Sequence, residues 1–198
     1  MTKVFEYGQR ETDHLKASDP ILGEAIDRIG KIEREVTPDP FTALIGNIVS
    51  QQVSKAAAAT IWKRLCDLLT GITPEAIVGA DVEDIQKCGM TMRKADNIKG
   101  IGRAVHEGDL DFDALYAMTD QEIVKKLITL KGIGLWTAEM LLIFSLQRPD
   151  VVSYGDLAIR RGMMNLYELD NLSKSEFEKY RCKYSPYGTV ASLYLWEL

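Results

Sequence analysis

The sequence contains only three cysteines, and they are not grouped. Cys66, Cys88 and Cys182 lie far apart, and neither a C-x-x-C pair nor a cysteine–histidine cluster occurs. This spacing argues against a structural zinc site, an iron–sulfur cluster and a disulfide framework. We interpret the three cysteines as small buried hydrophobic residues or unreactive thiols.

Long apolar runs and an excess of basic residues are also missing. No stretch of ~18 apolar residues occurs, so we expect no membrane span. Residues 1–16 contain no apolar segment of signal-peptide length, so we expect an intracellular protein. The formal net charge is −5, which argues against binding to nucleic acid through a broad basic surface. Binding through a few well-placed contacts is compatible with this charge.

Strand-like alternation of polar and apolar residues is not sustained, and helical spacing dominates instead. Several helix starts are marked by a capping residue, by a following proline or by a capping box. These starts are Ser18 or Asp19 before Pro20, Asp39-Pro40, Ser54, Thr73-Pro74, Asp81, Thr119 and Ser173. No linker is long or biased enough to mark a domain boundary. The sequence therefore predicts an all-α protein of one compact domain or two packed lobes.

Two segments are near-repeats of each other, IKGIGRA at 98–104 and LKGIGLWTA at 130–138. For the first, helical phase continues through both glycines, so we favour a glycine-containing helix over a second hairpin. The second lies between two amphipathic helices, where Gly132 and Gly134 favour a tight turn with positive φ. Amides left unpaired by such a turn, at the positive end of a helix dipole, suit one phosphate group. An ordinary corner between two helices is the alternative.

Asp156 follows a short apolar segment and Gly155, and a helical segment begins directly behind it. The simplest interpretation is a helix N-cap, because Asp is strongly preferred at that position. A helix N-terminus also stabilises an ionised carboxylate. A chemical role is compatible with a cap, since the cap fixes the orientation of the carboxylate.

Four motifs in a fixed order give the chain a specific resemblance to a known family. They are IVSQQVSKAAAATIWKRL at 48–65, CGMTMRKADNI at 88–98, the hairpin GIGLWTA followed by GDLAIRR, and SPYGTVASLYLWEL at 185–198. The chain resembles the helix-hairpin-helix superfamily of DNA glycosylases, in particular the 3-methyladenine DNA glycosylase II branch, over about residues 38–198. The resemblance implies a two-lobed helical bundle with a DNA cleft between the lobes, and with the hairpin and Asp156 at its mouth. The expected lobes are about 38–130, and 1–37 with 131–198.

The resemblance also implies roles for residues that act on the base and the sugar. Asp156 falls on the family's catalytic aspartate. Gln52 falls on the residue that fills the space left by the flipped-out base, and Gln51 is adjacent. Trp136 falls on an aromatic residue that lines the base pocket. The expected pocket residues are Trp136, Met140 and Tyr154.

A second group of residues is expected to hold the DNA backbone. The implied contacts are the backbone amides of Gly132, Gly134 and Thr137. Basic candidates for phosphate contact are Arg93, Lys94, Lys131, Arg160 and Arg161, each of which could equally be solvated surface charge. The carbonyls of Ile128, Leu130 and Ile133 correspond to those that hold a monovalent cation, Na or K, in relatives.

Two positions depart from the family pattern. Gly188 stands where relatives tend to carry a basic residue, and Leu135 stands where Arg or Lys is common. Both differences remove positive charge from the expected DNA-binding face.

The position of Trp136 bears on the reaction type. Bifunctional relatives carry there a lysine that attacks the sugar and then cleaves the strand, whereas Trp has no nucleophile. The resemblance therefore implies a monofunctional glycosylase for alkylated purines, 3-methyladenine and 7-methylguanine, in double-stranded DNA. We expect a cytoplasmic monomer, nucleoid-associated if bacterial, that requires no cofactor. The alternatives are a glycosylase for oxidised or deaminated bases and a non-enzymatic hairpin module that binds distorted DNA.

Overall fold

The computed structural model describes residues 3–198, and in that range thirteen helices form and no β-strand does. One isolated antiparallel bridge joins Val4 and Glu35. The all-α prediction is therefore confirmed for the described residues. In chain order the helices are α1 Gln9–Ser18, α2 Pro20–Ile29, α3 Pro40–Ser50, α4 Lys55–Leu69, α5 Pro74–Gly79, α6 Val82–Lys87, α7 Met92–His106, α8 Phe112–Leu115, α9 Asp120–Leu127, α10 Leu135–Phe144, α11 Leu157–Leu166, α12 Lys174–Tyr184 and α13 Gly188–Leu195.

Helix starts coincide with the capping residues that the sequence marks. The side chain of Asp19 accepts the amides of Ile21 and Leu22 at the start of α2, and Ser54 accepts the amide of Ala57 in α4. Thr119 and Ser173 both form complete capping boxes. Helices α1 and α8 were not predicted. The start of α1 has Gly8 at the N-cap, which offers no side-chain cap and gives a weak signal in the sequence.

The chain divides into two compact units, which we call the terminal and the central unit. The terminal unit contains the described residues up to Val36 and Leu142–Leu198, and the central unit is Thr37–Leu141. The boundary lies at 141/142, whereas we expected it at 130/131. The hairpin therefore belongs to the central unit and not to the unit that contains Asp156. The physical reason is that the hairpin turn is hydrogen-bonded and packed within residues 37–141, as described below.

The central unit is organised around α7, which packs against α3, α5 and α6. This helix runs through the IKGIGRA segment, so the prediction of a glycine-containing helix is confirmed. Gly102 lies so close to α5 that a Cβ atom there would come within 2.5 Å of the Ile77 side chain. The buried ammonium of Lys99 donates to the carbonyls of Ile77, Val78 and Ala80 at the end of α5.

The terminal unit surrounds α13, whose eight residues are all buried. This helix packs against α1, α2, α11 and α12. One buried carboxylate, Asp19, joins three elements, because it caps α2 while the hydroxyl of Tyr167 donates to it at 2.8 Å and the ammonium of Lys183 at 3.0 Å. Burial opposes ionisation of Asp19, but the amide of Leu22 together with Lys183 and Tyr167 outweighs it and lowers the pKa of this carboxyl.

The lowered pKa of Asp19 predicts a loss of stability in acid. A carboxyl whose pKa is lower in the folded than in the unfolded chain stabilises the fold above its unfolded value, near pH 4, and this contribution disappears as the pH falls further. Asp19→Asn keeps an N-cap acceptor but removes the charge. We expect the urea midpoint of the variant to depend less on pH between about 5 and 2 than that of the wild type. Parallel curves for the two proteins would contradict this expectation.

Candidate functional site

The hairpin at 128–134 connects α9 to α10 by a tight turn. The amide of Ile133 donates to the carbonyl of Leu130 at 3.2 Å, and the Ile133 side chain is buried. Gly132 has φ +88°, as predicted for a turn glycine, and a Cβ atom there would lie 2.3 Å from Nδ2 of Asn97. Only glycine therefore suits position 132. Gly134 is exposed and lies in open space immediately before α10, and it is not among the glycines with positive φ, so that expectation holds for Gly132 alone.

The two glutamines that follow α3 have different surroundings. Nε2 of Gln51 donates to the carbonyl of Gly132 at 3.1 Å and to Oγ1 of Thr137 at 3.4 Å. Gln51 is half-buried, and Thr137 is buried. Gln52 is exposed and has φ +55°, a left-handed conformation that non-glycine residues rarely adopt. Gln51 therefore braces the hairpin, while Gln52 presents its side chain to solvent.

These surroundings predict different effects of removing the two side chains. Gln51→Ala should lower the free energy of unfolding by about 1 kcal/mol, because it removes hydrogen bonds to the hairpin. Gln52→Ala should leave stability within about 0.5 kcal/mol, since its side chain is exposed. Urea denaturation of both variants measures the difference. Equal loss of stability in the two variants would show that Gln51 does not brace the hairpin.

Lys94, one of the basic candidates, lies against the C-terminal end of α3. Its ammonium donates to the carbonyls of Val49 at 2.9 Å and Gln51 at 2.6 Å, at the C-terminal end of α3. Burial lowers the pKa of the Lys94 ammonium. Lys94 therefore caps a helix end whose last carbonyls have no intrahelical partner. Two of its three ammonium protons are engaged in this way, and its role as a phosphate contact stays a prediction.

A cavity of about 540 Å³ lies in the central unit beside the hairpin. Its polar and aromatic lining includes Gln51, Gln52, Arg93, Asn97 and Trp136. The side chain of Trp136 is 38% exposed, so it is not a core residue, whereas Met140 on the same helix is buried. A second hollow is lined by Arg93, Asp96, Asn97, Lys131 and Gly132. Aromatic, amide and cationic side chains from several elements thus lie together beside the hairpin.

Asp156 lies in the terminal unit and caps α11, as its sequence position indicates. Its Oδ1 accepts the amides of Ala158 at 2.9 Å and Ile159 at 3.0 Å, and the indole Nε1 of Trp196 at 3.2 Å. The residue is 8% exposed. Three donors on one oxygen fix the rotation of the carboxylate. Trp196 was not predicted as a site residue; its only signal in the sequence was membership of the YLW motif.

The residues on either side of Asp156 include two of the basic candidates. The guanidinium of Arg160 lies 5.1 Å from the centroid of the Tyr154 ring, and that ring meets Phe177 edge to face. Nε of Arg160 is buried without a hydrogen-bond partner among the described residues. Arg161 is exposed. Arg160 therefore packs on an aromatic ring, and Arg161 is the more accessible of the two cations.

The departure at Gly188 has a packing explanation. Its amide donates to Oδ1 of Asp150 at 3.0 Å, and Ser185 donates to the other carboxylate oxygen at 2.6 Å. A Cβ atom at position 188 would lie 2.6 Å from Oδ1 of Asp150 and 2.8 Å from the Val152 side chain. A basic side chain at this position would displace Asp150.

Within residues 3–198, no group of three or more His, Cys, Asp or Glu side chains is placed to hold a metal ion. None of the helices there is long and apolar enough to cross a membrane. Cys88 is buried, Cys66 is half-buried and Cys182 is exposed, so the expected burial holds fully for one of the three.

Comparison with known proteins places these features in a family. The profile described as HhH-GPD superfamily base excision DNA repair protein matches residues 45–186. DNA-3-methyladenine glycosylase 1 of Schizosaccharomyces pombe is 36% identical over 164 residues, which cover 80% of this chain and 72% of that protein.

Two solved structures are similar over almost the whole chain. A DNA-3-methyladenine glycosidase from Bacillus halodurans has a TM-score of 0.89 at 35% identity, covering 98% of this chain and 91% of that one. A 3-methyladenine DNA glycosylase from Schizosaccharomyces pombe in complex with abasic DNA has a TM-score of 0.85 at 32% identity, covering 96% of each chain. The profile match spans most of the sequence, and both structures agree with it. The chain belongs to the HhH-GPD superfamily of base excision DNA repair proteins.

Proposed function

We propose that this protein is a DNA glycosylase that hydrolyses the N-glycosidic bond of alkylated purines, 3-methyladenine and 7-methylguanine, in double-stranded DNA. The observation that carries the proposal is the Asp156 carboxylate, which is oriented by two backbone amides and an indole N–H on one oxygen. A helix N-terminus stabilises such an anion. The names of the relatives at 36% and 35% identity support the substrate class.

In the proposed reaction Asp156 acts on the sugar. The bond between C1′ and the base breaks, and its electron pair leaves with the cationic base, which departs as a neutral molecule. Positive charge builds on the sugar, where the Asp156 anion stabilises it while water adds at C1′ and loses a proton. The base must first leave the helical stack, at a cost of a few kcal/mol. The exposed Gln52 side chain is suited to occupy the space left behind.

Trp136 is proposed to bind the extruded base. Its ring is 38% exposed, and a flat π face attracts an electron-poor, positively charged purine. Met140 and Tyr154 remain candidates for the rest of the pocket. Trp136 offers no amine to attack C1′, and Lys131 lies in the turn five residues earlier. We therefore propose that the enzyme does not cleave the DNA strand.

DNA binding is proposed to depend mainly on contacts between the hairpin and the phosphate backbone. First-turn amides of a helix have no intrahelical partner, so the amides of Gly134 and Thr137 suit a phosphate, with Gly132 before them. Lys131 and Arg161 are exposed and add charge. With a net charge of −5, the chain can neutralise few phosphates, so a monomer should bind undamaged DNA weakly, with a shallow salt dependence.

A monovalent cation is proposed at the same turn. The carbonyl of Leu130 accepts the amide of Ile133 and keeps a second lone pair for a ligand. With the carbonyls of Ile128 and Ile133 it would supply neutral oxygen ligands, which suit Na or K. A bound cation would add positive charge beside the phosphate.

Base release from methylated duplex DNA, with the products separated by chromatography, tests the proposed function. We expect free 3-methyladenine and 7-methylguanine. Binding without release from a panel of alkylated duplexes would favour the non-enzymatic hairpin module. Strand breaks without heat or alkali, or a covalent complex trapped by borohydride, would contradict the absence of lyase activity.

A further inference from the structure

We propose that Trp196 is the positioning residue of the catalytic carboxylate, holding Asp156 in its reactive rotation through a hydrogen bond from the indole N–H. The proposal rests on the proposed function, since it assigns a role to Trp196 only if Asp156 is catalytic. Nε1 of Trp196 lies 3.2 Å from Oδ1 of Asp156. An indole N–H can only donate a hydrogen bond, and an ionised carboxylate oxygen can only accept one, so the two groups are complementary.

The indole contributes something that the backbone cap does not. The amides of Ala158 and Ile159 come from the first turn of α11, which is continuous in sequence with Asp156. The indole comes from the end of α13, forty residues away. Its bond therefore ties the carboxylate to a second, buried helix, which the two amides of α11 cannot do.

The Trp196 ring is itself held in place. It stacks on Phe144, with ring centroids 5.4 Å apart and planes at 27°. The guanidinium of Arg34 lies over the ring, 5.7 Å from its centroid, and its Nη2 is anchored to Glu197 at 2.7 Å. Nε of Arg34 is buried and has no hydrogen-bond partner among the described residues. The ion pair with Glu197 holds this partly exposed guanidinium in place over the ring, where a cation–π contact is favourable.

The test removes the N–H and keeps the ring. Trp196→Phe retains an aromatic ring but has no donor, and replacement of Trp196 by 3-benzothienylalanine substitutes sulfur for N–H with almost the same shape. Trp62→Phe, in the central unit and outside the proposed machinery, is the matched control. Single-turnover base release from methylated DNA, duplex affinity and melting temperature are measured for each.

We expect both Trp196 replacements to slow base release about tenfold, because a hydrogen bond to a charged group is lost. Duplex affinity and the melting temperature of the benzothienylalanine protein should not change, so the loss should appear in the rate of base release alone. Trp62→Phe should not alter the rate. A purely structural role would lower the melting temperature or the duplex affinity together with the rate.

An unchanged rate of base release in the benzothienylalanine protein would overturn the proposal, even if Trp196→Phe fails to fold. Different results would contradict the catalytic role of Asp156 and the positioning role of Trp196. If Asp156→Asn keeps full activity, the catalytic assignment of Asp156 is wrong. If Asp156→Asn is inactive and the Trp196 replacements are fully active, only the positioning role is wrong.

Discussion

Asp156→Asn is expected to slow base release by about 100- to 1,000-fold, the range seen when one preorganised electrostatic group is removed from an active site. Asparagine has nearly the same shape, and its carbonyl oxygen can accept the three donors that converge on Oδ1. What it lacks is the negative charge that stabilises positive charge on the sugar. Single-turnover base release from methylated duplex DNA, at saturating enzyme, measures the loss directly.

Stability should change little in this variant. Asn and Asp are about equally good N-caps, so α11 should keep its start and the urea midpoint should move little. Asp39→Asn provides the matched control, because Asp39 caps α3 in the central unit by accepting the amide of Thr42 at 2.8 Å. We expect full activity in the control. If Asp156→Asn also retained full activity, the carboxylate would be a helix cap and nothing more.

Helix starts were predictable from the sequence because the interactions that stabilise them join residues only a few positions apart. A capping side chain bonds an amide two or three residues away, as Asp19, Thr119 and Ser173 do, and the sequence shows all the participants. The N-cap interpretation of Asp156 was correct for the same reason. Helix α1 was missed because Gly8 at its N-cap has no side chain to give the signal.

The two KGIG segments show where local reasoning reaches its limit. One forms the interior of α7 and the other forms a turn, although four consecutive residues are identical. Continuous helical phase correctly separated the two. It could not show that Gly102 packs on Ile77 while Gly100, two residues away, lies in open space. That difference depends on where α5 lies, and no local pattern records it.

The candidate site residues were assigned from the resemblance to a family. Their hydrogen-bond partners could not be predicted from the sequence. Gln51 bonds the hairpin across 81 residues, Lys94 caps α3 across more than 40, and Trp196 reaches Asp156 across 40. Each pair depends on tertiary packing. The unit boundary was misplaced for the same reason, because the contacts that hold the hairpin to the central unit are long-range.

Gly162→Ala is expected to cause the largest loss of stability. An added Cβ atom would lie 1.9 Å from the carbonyl oxygen of Leu195, far inside any real contact distance. That oxygen belongs to the backbone of α13, whose residues are all buried, so it cannot move without disturbing the terminal core. Overpacking of a core commonly costs about 1–3 kcal/mol, and this clash with backbone should cost about 3 kcal/mol or more. For a chain of this size, that lowers the melting temperature by about 6–12 °C.

Gly100→Ala is the matched control, because it makes the same substitution inside a helix with no atom within 4 Å. Alanine should there stabilise the protein by about 0.5–1 kcal/mol, so urea denaturation should move the two variants in opposite directions. Gly162→Ala should also slow base release, because Leu195 directly precedes Trp196, whose indole holds Asp156. A Gly162→Ala protein within about 0.5 kcal/mol of the wild type would contradict this prediction, because α11 and α13 would then separate without cost despite their packing.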